Sequence, residues 1–384
     1  MKILIVCSNL GFGGAERVAV SLANSFYSRG HHVIVATNLY EKVNFSLDEG
    51  VVVENIFSTN KNIFKKWISS VKDLRKLIKS HQPEVVIGIM ELCSLIARIS
   101  TIGTGIPVVA TDHYTFDRPQ NAPFTKQQWF FKFIVNYIYK HITVLTEADK
   151  KVISNKFKGV TVMPNPLSLQ PVKELPEKEN VVLAAGRIGG WYAKGFDVLL
   201  QAWKNLYYDN VNDNENLRDW WLKIAGDGKK KDFEYLISIL EDSDFKNQVS
   251  SDGQKIWRSE KYHIEFLGFQ KDIESLYKKS EIFVLSSRYE GFGLVLIEAM
   301  SQGCACVACD YKGRQREIIQ DDSQGLCCEP DNVEELADAI QKMMTDEHYR
   351  KTVQQKAIER SKFYDMEHTM DRWEAYLKKV INVC

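Results

Sequence analysis

The 384-residue sequence lacks any long hydrophobic run, and its formal net charge is zero. No stretch approaches the ~20 consecutive apolar residues that a transmembrane helix needs. The apolar start, Met1–Cys7, is too short for a signal peptide and continues into a glycine-rich segment rather than a cleavage site. We therefore expect a cytoplasmic protein, with at most peripheral contact with the inner face of the cytoplasmic membrane.

The eight cysteines also lack a metal-binding pattern. Five of them fall between Cys304 and Cys328, but no pair has the C-x2-C…C-x2-C spacing of a zinc site. The segment Cys304–Cys309 is typical of a strand, in which neighbouring side chains point to opposite faces. We predict reduced, buried cysteines and no metal site.

The length is too great for one ordinary hydrophobic core, so two domains are expected. Apolar residues make up 45% of the chain and charged residues 26%, as in globular proteins. Residues 1–168 hold 20 of the 50 Lys and Arg residues but only 12 of the 50 Asp and Glu residues. The front part is therefore basic and the rest acidic, which favours an anionic surface or substrate for the front part.

The most informative stretch is 286–303, which reads SSRYEGFGLVLIEAMSQG. An apolar run, Ile282–Leu285, precedes it and is typical of a buried parallel strand. A glycine-punctuated turn follows, and Leu294–Met300 has the composition of a helix. The stretch therefore predicts a strand, a turn and a helix in succession.

This turn offers groups that suit a nucleotide sugar. Gly291 and Gly293 let the backbone approach a ligand closely. A phosphate is stabilised by the free N–H groups at a helix start. Here these are the N–H groups of Phe292, Gly293 and Leu294. Glu290 stands beside that anion site, and Glu298, about two turns along, can accept two hydrogen bonds from a vicinal diol such as a ribose.

A second glycine-rich loop follows the predicted strand Val181–Ala185 and precedes the predicted helix Phe196–Asn205. It carries Arg187 and Lys194, one on each side. The two side chains can clamp a diphosphate, because arginine offers a bidentate fork and lysine a movable point charge. The alternative is a solvated surface pair.

The front part opens with the strand Lys2–Cys7 and a glycine loop that reads NLGFGGAER over residues 9–17. Its glycines do not fit G-x-G-x-x-G, because position 16 is Glu, so a dinucleotide redox cofactor is not favoured. Farther along, the strand Pro107–Thr111 runs directly into Asp112 and His113. A polar pair at the carboxyl end of a buried strand lies at the ligand crevice of a doubly wound sheet. A surface-loop histidine is the alternative.

Two further segments of the front part suit an interface. Residues 61–79 combine an apolar stripe at helical spacing with seven Lys and Arg residues and one Asp, and residues 124–141 are rich in Trp, Phe and Tyr. Both fit helices that cover the sheet. Both also fit an anionic membrane surface, where each basic residue adds about 1 kcal/mol. We predict the membrane contact and no nucleic-acid partner.

Together these stretches resemble the retaining glycosyltransferases of family 4, which have the GT-B fold. The motifs appear in the family's order: G-G-A-E-R at 13–17, G-R-x(n)-K-G at 186–195, and Glu290-x7-Glu298 within S-R-x-E-G-F-G. The resemblance covers nearly the whole chain. It implies two doubly wound, Rossmann-like α/β domains that face each other across a cleft.

The same resemblance implies the domain limits. Residues 1–168 would form the N-terminal, acceptor-side domain, and residues 169–360 the domain that binds the nucleotide sugar. Residues 361–384 would form a helix that packs back on the N-terminal domain. The resemblance also implies that no metal or cofactor is needed, because Arg187 and Lys194 would stabilise the departing diphosphate in place of a metal ion.

The resemblance also assigns roles to single residues. Gly13 and Gly14 would approach the donor diphosphate through the backbone, Gly268 would meet the nucleobase, and His113 would line the acceptor side and face the donor sugar. The implied catalytic residues are Glu290, His113, Arg187 and Lys194. The implied donor-binding residues are Gly13, Gly14, Arg187, Lys194, Gly268, Glu290, Gly291, Phe292, Gly293, Leu294 and Glu298.

The implied reaction transfers a sugar, with retention of anomeric configuration, from a nucleotide-diphosphate donor to a saccharide acceptor. We favour a UDP-sugar over a GDP-sugar, and a lipid-linked acceptor in surface polysaccharide or glycan assembly. A front-face route is favoured over double displacement on Glu290. A sugar-nucleotide epimerase, a non-catalytic nucleotide-sugar-binding protein and a nucleic-acid binder are the alternatives.

Overall fold

The computed structural model describes residues 1–11, 13–60, 62–210, 217–241, 245–249 and 255–382. They form two compact units. The N-terminal unit contains Met1–Ser168 and Tyr364–Cys384, and the C-terminal unit contains Leu169–Phe363. Each unit has its own mainly parallel β-sheet. The predicted class, α/β with two doubly wound sheets, is confirmed.

In the described part of the N-terminal unit, seven strands form one sheet. They are β1 (Lys2–Val6), β2 (His32–Thr37), β3 (Val52–Asn55), β4 (Val85–Ile89), β5 (Val108–Thr111), β6 (His141–Val144) and β7 (Val160–Val162). All neighbours are parallel, in the order β3-β2-β1-β4-β5-β6-β7. The central strands are continuous apolar runs because a parallel sheet is covered on both faces, and every residue of β4 is buried.

Five helices follow these strands in turn. They are α1 (Gly14–Ser28), α2 (Ile63–His81), α3 (Met90–Ser100), α4 (Lys126–Phe133) and α5 (Glu147–Ile153). Side chains cap the N-termini of three of them. Asn62, Thr125 and Thr146 each accept a hydrogen bond from an N–H of the first turn. A short 3-10 helix, Val135–Ile138, continues α4. Lys61, the first residue of the predicted basic segment, lies outside the described residues.

In the described part of the C-terminal unit, eight strands form the second sheet. They are β8 (Glu179–Ala185), β9 (Trp221–Ala225), β10 (Lys246–Val249), β11 (Lys255–Ser259), β12 (Ile264–Gly268), β13 (Ser280–Leu285), β14 (Ala305–Cys309) and β15 (Leu326–Cys328). Their order is β10-β11-β12-β9-β8-β13-β14-β15. The β10–β11 and β11–β12 pairs are antiparallel and the others parallel.

The antiparallel strands lie in a polar part of the sequence. The polar stretch 242–261 has the composition of a loop, yet its described residues include β10 and β11. β10 is the edge strand, which is paired on one side only, and β11 lies between β10 and β12. Polar and charged residues are tolerated at such an edge.

Seven helices accompany this sheet in the described residues. They are α6 (Trp191–Lys194), α7 (Phe196–Asn210), α8 (Lys230–Ile239), α9 (Ile273–Lys279), α10 (Leu294–Ser301), α11 (Val333–Thr345) and α12 (Glu347–Ser361). Six of the eight residues of α10 are buried. This helix contacts β13, β14 and α12, which explains its almost wholly apolar composition.

The last helix, α13 (Met366–Asn382), belongs to the N-terminal unit. It packs against α1 and β4, and Trp373, Leu377 and Val380 are buried on its inner face. Arg29 adds an ion pair with Asp371 at 2.6 Å and one with Glu374 at 3.3 Å. The return of the C-terminal helix to the N-terminal unit, predicted from the sequence, is confirmed.

Within the described ranges, no helix is both long enough and apolar enough to cross a lipid bilayer. Seven of the eight cysteines lie in these ranges, and all seven are free thiols. Only Cys327 among them is partly exposed. Cys309 and Cys328 occupy paired positions on β14 and β15. Their sulfurs are 3.7 Å apart, within reach of a thiol hydrogen bond, and are not joined in a disulfide.

Replacement of Leu377 tests the packing of α13. Its side chain is wholly buried, so Leu377→Ala should lower the free energy of unfolding by about 2–5 kcal/mol through loss of buried surface and creation of a cavity. The neighbouring Lys378 is exposed, and Lys378→Ala should stay within about 0.5 kcal/mol of the unmodified protein. Urea denaturation measures both. Equal midpoints for the two variants would show that α13 is not packed as described.

Candidate active site

Two loops of the C-terminal unit leave neighbouring strands at the same edge of the sheet. β8 ends at Ala185 and β13 at Leu285, and these strands pair in parallel. The strand order reverses here, because β9 lies on the other side of β8. This is the topological switch point at which open α/β sheets bind ligands. We call residues 186–195 the first loop and residues 286–293 the second loop.

The two loops touch through their backbones. Gly195 ends the first loop with a φ of +62°, and a Cβ placed on it would lie 1.9 Å from the carbonyl oxygen of Ser286. Only glycine fits, because it tolerates a positive φ and leaves room for that oxygen. The Ser286 hydroxyl donates to the Lys194 carbonyl at 2.8 Å, and the Arg288 N–H donates to the Ala193 carbonyl at 2.9 Å.

This contact brings Lys194 and Glu290 together. The Lys194 ammonium forms an ion pair with Glu290 Oε1, and both side chains are partly buried. The same oxygen accepts a hydrogen bond from the Ser287 hydroxyl at 2.8 Å. The cation predicted for the diphosphate and the carboxylate predicted for the sugar are therefore direct partners, and a bound anion would compete with Glu290 for Lys194.

Arg288 holds the two loops in place, a role for which the sequence analysis had no assignment. Its guanidinium binds both carboxylate oxygens of Asp197 at 2.7 and 2.8 Å, Asp331 at 2.5 Å, and the Tyr192 carbonyl at 2.6 Å. Burial opposes its charged form, but the two carboxylates more than offset this and keep the pKa of Arg288 above its usual value. The only available signal was an arginine in a turn beside a buried strand.

Arg187 lies at the other end of the first loop. Its side chain is exposed. The guanidinium makes no hydrogen bond or ion pair with another described residue. The backbone around it is fixed, because the Gly186 N–H donates to the Ala225 carbonyl and the Ile188 N–H to the Asp227 carbonyl. An unpaired guanidinium on a fixed loop is available to an anionic ligand.

The second loop ends at Gly293, the N-cap of α10, with a φ of +99°. No side chain caps this helix. The first N–H groups of a helix have no partner within it, so those of Leu294 and Val295 can bind an anion. Gly291 and Phe292 form the turn before this point, and Phe292 is buried.

Glu298 lies on the buried side of α10 and is 1% exposed. Its Oε2 accepts a hydrogen bond from the Tyr277 hydroxyl at 3.3 Å. The carboxylate is thus almost enclosed, and the ribose contact assigned to it stays a prediction. Gly268 ends β12 with a φ of +69°, and its carbonyl accepts from the Gly226 N–H at 2.8 Å. The nucleobase contact assigned to Gly268 also stays a prediction.

The remaining predicted residues lie in the N-terminal unit. Gly13 is the N-cap of α1 and Gly14 its first residue. A Cβ on Gly13 would lie 2.0 Å from Glu16 Oε2, the end of a flexible side chain, and the extended φ of −177° suits any residue, so neither feature requires glycine here. Glu16 therefore places a negative charge over this glycine, and an approaching diphosphate would require that carboxylate to move.

His113 follows β5 and is partly buried. Its Nε2 lies 3.1 Å from Thr111 Oγ1, and its Nδ1 lies 3.1 Å from Asn165 Oδ1. Burial lowers the pKa of His113 from 6.5 to about 4, although the nearby Asp112 acts in the opposite direction. The ring is therefore neutral near pH 7 and can donate from only one nitrogen. If Nδ1 donates to Asn165, Nε2 is an acceptor and competes for the single Thr111 hydroxyl proton with the Gly88 carbonyl, which lies 3.0 Å from Thr111 Oγ1.

The structure thus brings Lys194, Glu290 and the start of α10 together within the C-terminal unit, with Arg187 at the end of the same first loop. Gly13, Gly14 and His113 belong to the N-terminal unit. Across the described ranges, no three His, Cys, Asp or Glu side chains gather closely enough to hold a metal ion. In the C-terminal unit, the arrangement can offer positive groups to an anion and a carboxylate to hydroxyl groups.

Comparison with known families decides the affiliation of the chain. The model described as "Glycosyl transferases group 1" matches residues 168–360, and the model "Glycosyltransferase Family 4" matches residues 12–170. The chain belongs to glycosyltransferase family 4. The resemblance drawn from the sequence motifs is confirmed, and the protein is a glycosyltransferase by family.

Two relatives match along nearly their full length. An "Uncharacterized glycosyltransferase" of Haemophilus influenzae is 27% identical, over 98% of this chain and 99% of its own. An α-1,4-N-acetyl-D-galactosaminyltransferase of Campylobacter jejuni is 26% identical, over 100% and 99%. Its name gives the acceptor as GalNAc-α-(1→4)-GalNAc-α-(1→3)-diNAcBac-PP-undecaprenol.

A solved structure shows the same fold. Sucrose-phosphate synthase from Thermosynechococcus elongatus superimposes with a TM-score of 0.78 at 16% identity, over 100% of this chain and 99% of that one. Together with the two Rossmann-like units, this similarity confirms the predicted GT-B fold.

Two glycines of the first loop offer a matched pair of substitutions. Gly195→Ala forces a side chain into the Ser286 carbonyl and a positive φ on alanine, so the free energy of unfolding should fall by more than about 1 kcal/mol. Gly190 has a φ of −105° and open space around its Cβ position, so Gly190→Ala should change stability by less than about 0.5 kcal/mol. Urea denaturation measures both. Equal stabilities would contradict the close approach of the two loops.

Proposed function

We propose that this protein is a retaining, metal-independent glycosyltransferase that uses a nucleotide-diphosphate sugar and a lipid-linked saccharide acceptor in the assembly of a surface polysaccharide or glycan. The C-terminal unit binds the donor, and the N-terminal unit binds the acceptor. The observation that carries the proposal is the junction of the two loops, which pairs Lys194 with Glu290 just before the uncapped start of α10, with an unpaired Arg187 side chain at the other end of the first loop.

These groups suit the departure of a nucleoside diphosphate. Negative charge grows on the bridging oxygen as the bond from the sugar C1 breaks, and Arg187, Lys194 and the α10 N–H groups stabilise it. When the donor binds, the Lys194 ammonium forms a hydrogen bond with a diphosphate oxygen, and its ion pair with Glu290 weakens. Glu290 then remains free to accept hydrogen bonds from sugar hydroxyls.

The route that we favour keeps the acceptor on the same face of the sugar as the leaving group. The acceptor oxygen forms a bond to C1 while the bond from C1 to the diphosphate oxygen breaks. The departing diphosphate takes the proton of the acceptor hydroxyl, so no separate base is required. The neutral His113 lines the acceptor side as a hydrogen-bonding group rather than as a charge.

The donor and acceptor classes rest on different grounds. We propose a UDP-sugar as the donor and treat a GDP-sugar as the competing donor. A backbone contact at Gly268 carries no side-chain code for the base, so it does not distinguish the two. The lipid-linked acceptor follows from the C. jejuni relative, whose named acceptor is carried on diphospho-undecaprenol.

Helix α4 supports contact with a membrane, because it buries a charged side chain and exposes aromatic ones. Its single buried side chain is Lys132, which is 1% exposed, while Trp129 and Phe130 are each 51% exposed. Tyr137 of the adjoining 3-10 helix is also exposed. Large aromatic side chains on the surface suit the interface between lipid headgroups and acyl chains.

Helix α2 adds positive charge and one more aromatic residue. Phe64 is 70% exposed, and four basic side chains of the helix are exposed with it: Lys65, Lys72, Lys76 and Lys79. Helix α3 links α2 to α4, because Arg75 donates to the Ser100 carbonyl and Arg98 to the Ile138 carbonyl. We propose that the outer faces of α2 and α4 dock on an anionic lipid surface.

Substitution of Arg187 tests the catalytic proposal. Thermal shift with UDP- and GDP-sugars first identifies the donor, since a ligand at 100 times its dissociation constant adds ~2.7 kcal/mol of stability. Arg187→Ala should then lower turnover more than about tenfold, equivalent to ~1.4 kcal/mol of transition-state stabilisation. Proton NMR of the product should show the anomeric configuration of the donor sugar.

Lys351→Ala, which removes an exposed cation from α12, is the matched control and should leave turnover unchanged. Turnover of Arg187→Ala within tenfold of the unmodified protein would refute the role of Arg187. An inverted product would refute retention. Epimerisation of the donor in the absence of acceptor would favour the epimerase alternative.

Vesicle cosedimentation tests the membrane surface. The protein should bind vesicles that contain phosphatidylglycerol more strongly than neutral ones, and added salt should weaken the binding. Phe130→Ser and Phe64→Ser should each reduce it. Tyr235→Ser, which removes an exposed aromatic side chain from the C-terminal unit, should not. Binding that is independent of lipid charge, or equal in all three variants, would contradict the proposal.

A further inference from the structure

The N-terminal unit contains a cavity that no part of the donor chemistry uses. It has a volume of about 170 Å³ and lies between the first turn of α3 and the segment that runs from Tyr114 to Lys132. Since a water molecule takes about 30 Å³ in the liquid, this space is on the scale of one sugar ring rather than of an oligosaccharide. The cavity adjoins the carboxyl ends of β4 and β5, which are neighbours in the sheet.

The walls of this cavity are of two kinds. Tyr114, Phe131 and Leu92 supply apolar surface, and Tyr114 and Leu92 are exposed. Glu91 and Gln127 supply a carboxylate and an amide, and the remaining polar lining comes from Arg118, Gln128 and Lys132. A pyranose presents a C–H face and a rim of hydroxyls, so it needs this combination of an aromatic surface and hydrogen-bonding groups.

The Glu91 carboxylate takes no hydrogen bond from another side chain of the described residues, and the donor beside it is its own backbone N–H. Its side chain is 21% exposed, and among the described residues its nearest cation is Lys132 Nζ, 3.9 Å from Oε1, beyond hydrogen-bond range. Lys132 is already bound to Asp112, at 2.8 Å to Oδ1 and 2.7 Å to Oδ2. Burial and the charge of Asp112 raise the pKa of Glu91. A largely buried carboxylate without a side-chain donor has unused acceptor capacity, so it gains from a ligand that brings hydroxyl groups.

The backbone at the mouth of the cavity is strained. Met90, the first residue of α3 and the neighbour of Glu91, has a φ of +70°, which is uncommon for a residue other than glycine. Such strain persists where the surrounding structure fixes it, and it clusters at ligand-binding sites. Here it sets the direction in which α3 leaves β4 and so positions the carboxylate of Glu91.

The cavity and His113 share one loop. Asp112, which pairs with Lys132, precedes His113, and Tyr114, which lines the cavity, follows it. The loop is held by the buried Asp149, which accepts from the Thr115 hydroxyl at 3.0 Å and from the Phe116 N–H at 2.7 Å. An occupant of the cavity would therefore contact the loop that carries the histidine that the proposed function assigns to the acceptor side.

We propose that this cavity binds one sugar ring of the acceptor saccharide, with Glu91 accepting hydrogen bonds from its hydroxyls and with Tyr114 and Phe131 packing against its C–H face. This rests on the proposed function and adds the place where the acceptor is recognised. Glu91 is then a specificity-determining residue for the acceptor, not for the donor.

Saturation-transfer difference NMR on the full chain, without donor, tests the site. The probes are the methyl α-glycosides of glucose, galactose, N-acetylglucosamine and N-acetylgalactosamine. At least one should bind, and Phe131→Ala and Glu91→Gln should each weaken it at least fivefold. Glu91→Gln preserves the shape of the side chain, so weaker binding there is not loss of the fold. Lys126→Ala, on the exposed side of α4, should bind like the unmodified protein.

Donor binding separates this inference from the proposed function. The thermal shift caused by the donor nucleotide should be the same in Glu91→Gln as in the unmodified protein. Glycoside binding that depends on Glu91, without any sugar transfer, would support the site and refute the transferase assignment. Sugar transfer without such binding, or glycoside affinity that is unchanged in both Glu91→Gln and Phe131→Ala, would overturn the acceptor site.

Discussion

The close approach of two backbones, at Gly195 and Ser286, is the constraint on which the C-terminal unit's site depends. A side chain at 195 would separate the two loops, and with them the ion pair between Lys194 and Glu290. Arg288 stabilises the same junction through its hydrogen bonds, but its guanidinium is a buried charge, which is unfavourable in itself. That cost is met only because two carboxylates and a carbonyl satisfy its guanidinium, since removal of one partner from a buried pair typically costs about 3–5 kcal/mol.

Charge placement follows a comparable logic in the N-terminal unit. Lys132 is drawn inward by Asp112, and the residues around it on α4 turn their aromatic side chains to the surface. The same pair leaves the Glu91 carboxylate without a side-chain donor, and Asp112 directly precedes the neutral His113 in the chain. One buried ion pair thus links the exposed aromatic face, the cavity and the histidine. Burying a charge is unfavourable unless it is paired, so these features come as a set.

Much of the fold could be predicted because it rests on local patterns. Continuous apolar runs such as Lys2–Val6 are typical of parallel strands, and glycine-rich turns after them mark the carboxyl ends where ligands bind. The strands β10 and β11 could not be predicted in this way. Their sequence is polar, and they are held by antiparallel pairing along the edge of the sheet, which leaves no hydrophobic period to detect.

The sequence by itself determined the family, the two-sheet architecture and the loops that carry Arg187, Lys194 and Glu290, because these follow from short motifs and local periodicity. Only the tertiary structure decided which groups are partners. It paired Lys194 with Glu290, buried Glu298 beside Tyr277, and left Glu91 without a side-chain donor. The physical reason is that burial and pairing depend on which strands are neighbours in the sheet, and a pattern along one segment of chain does not contain that information.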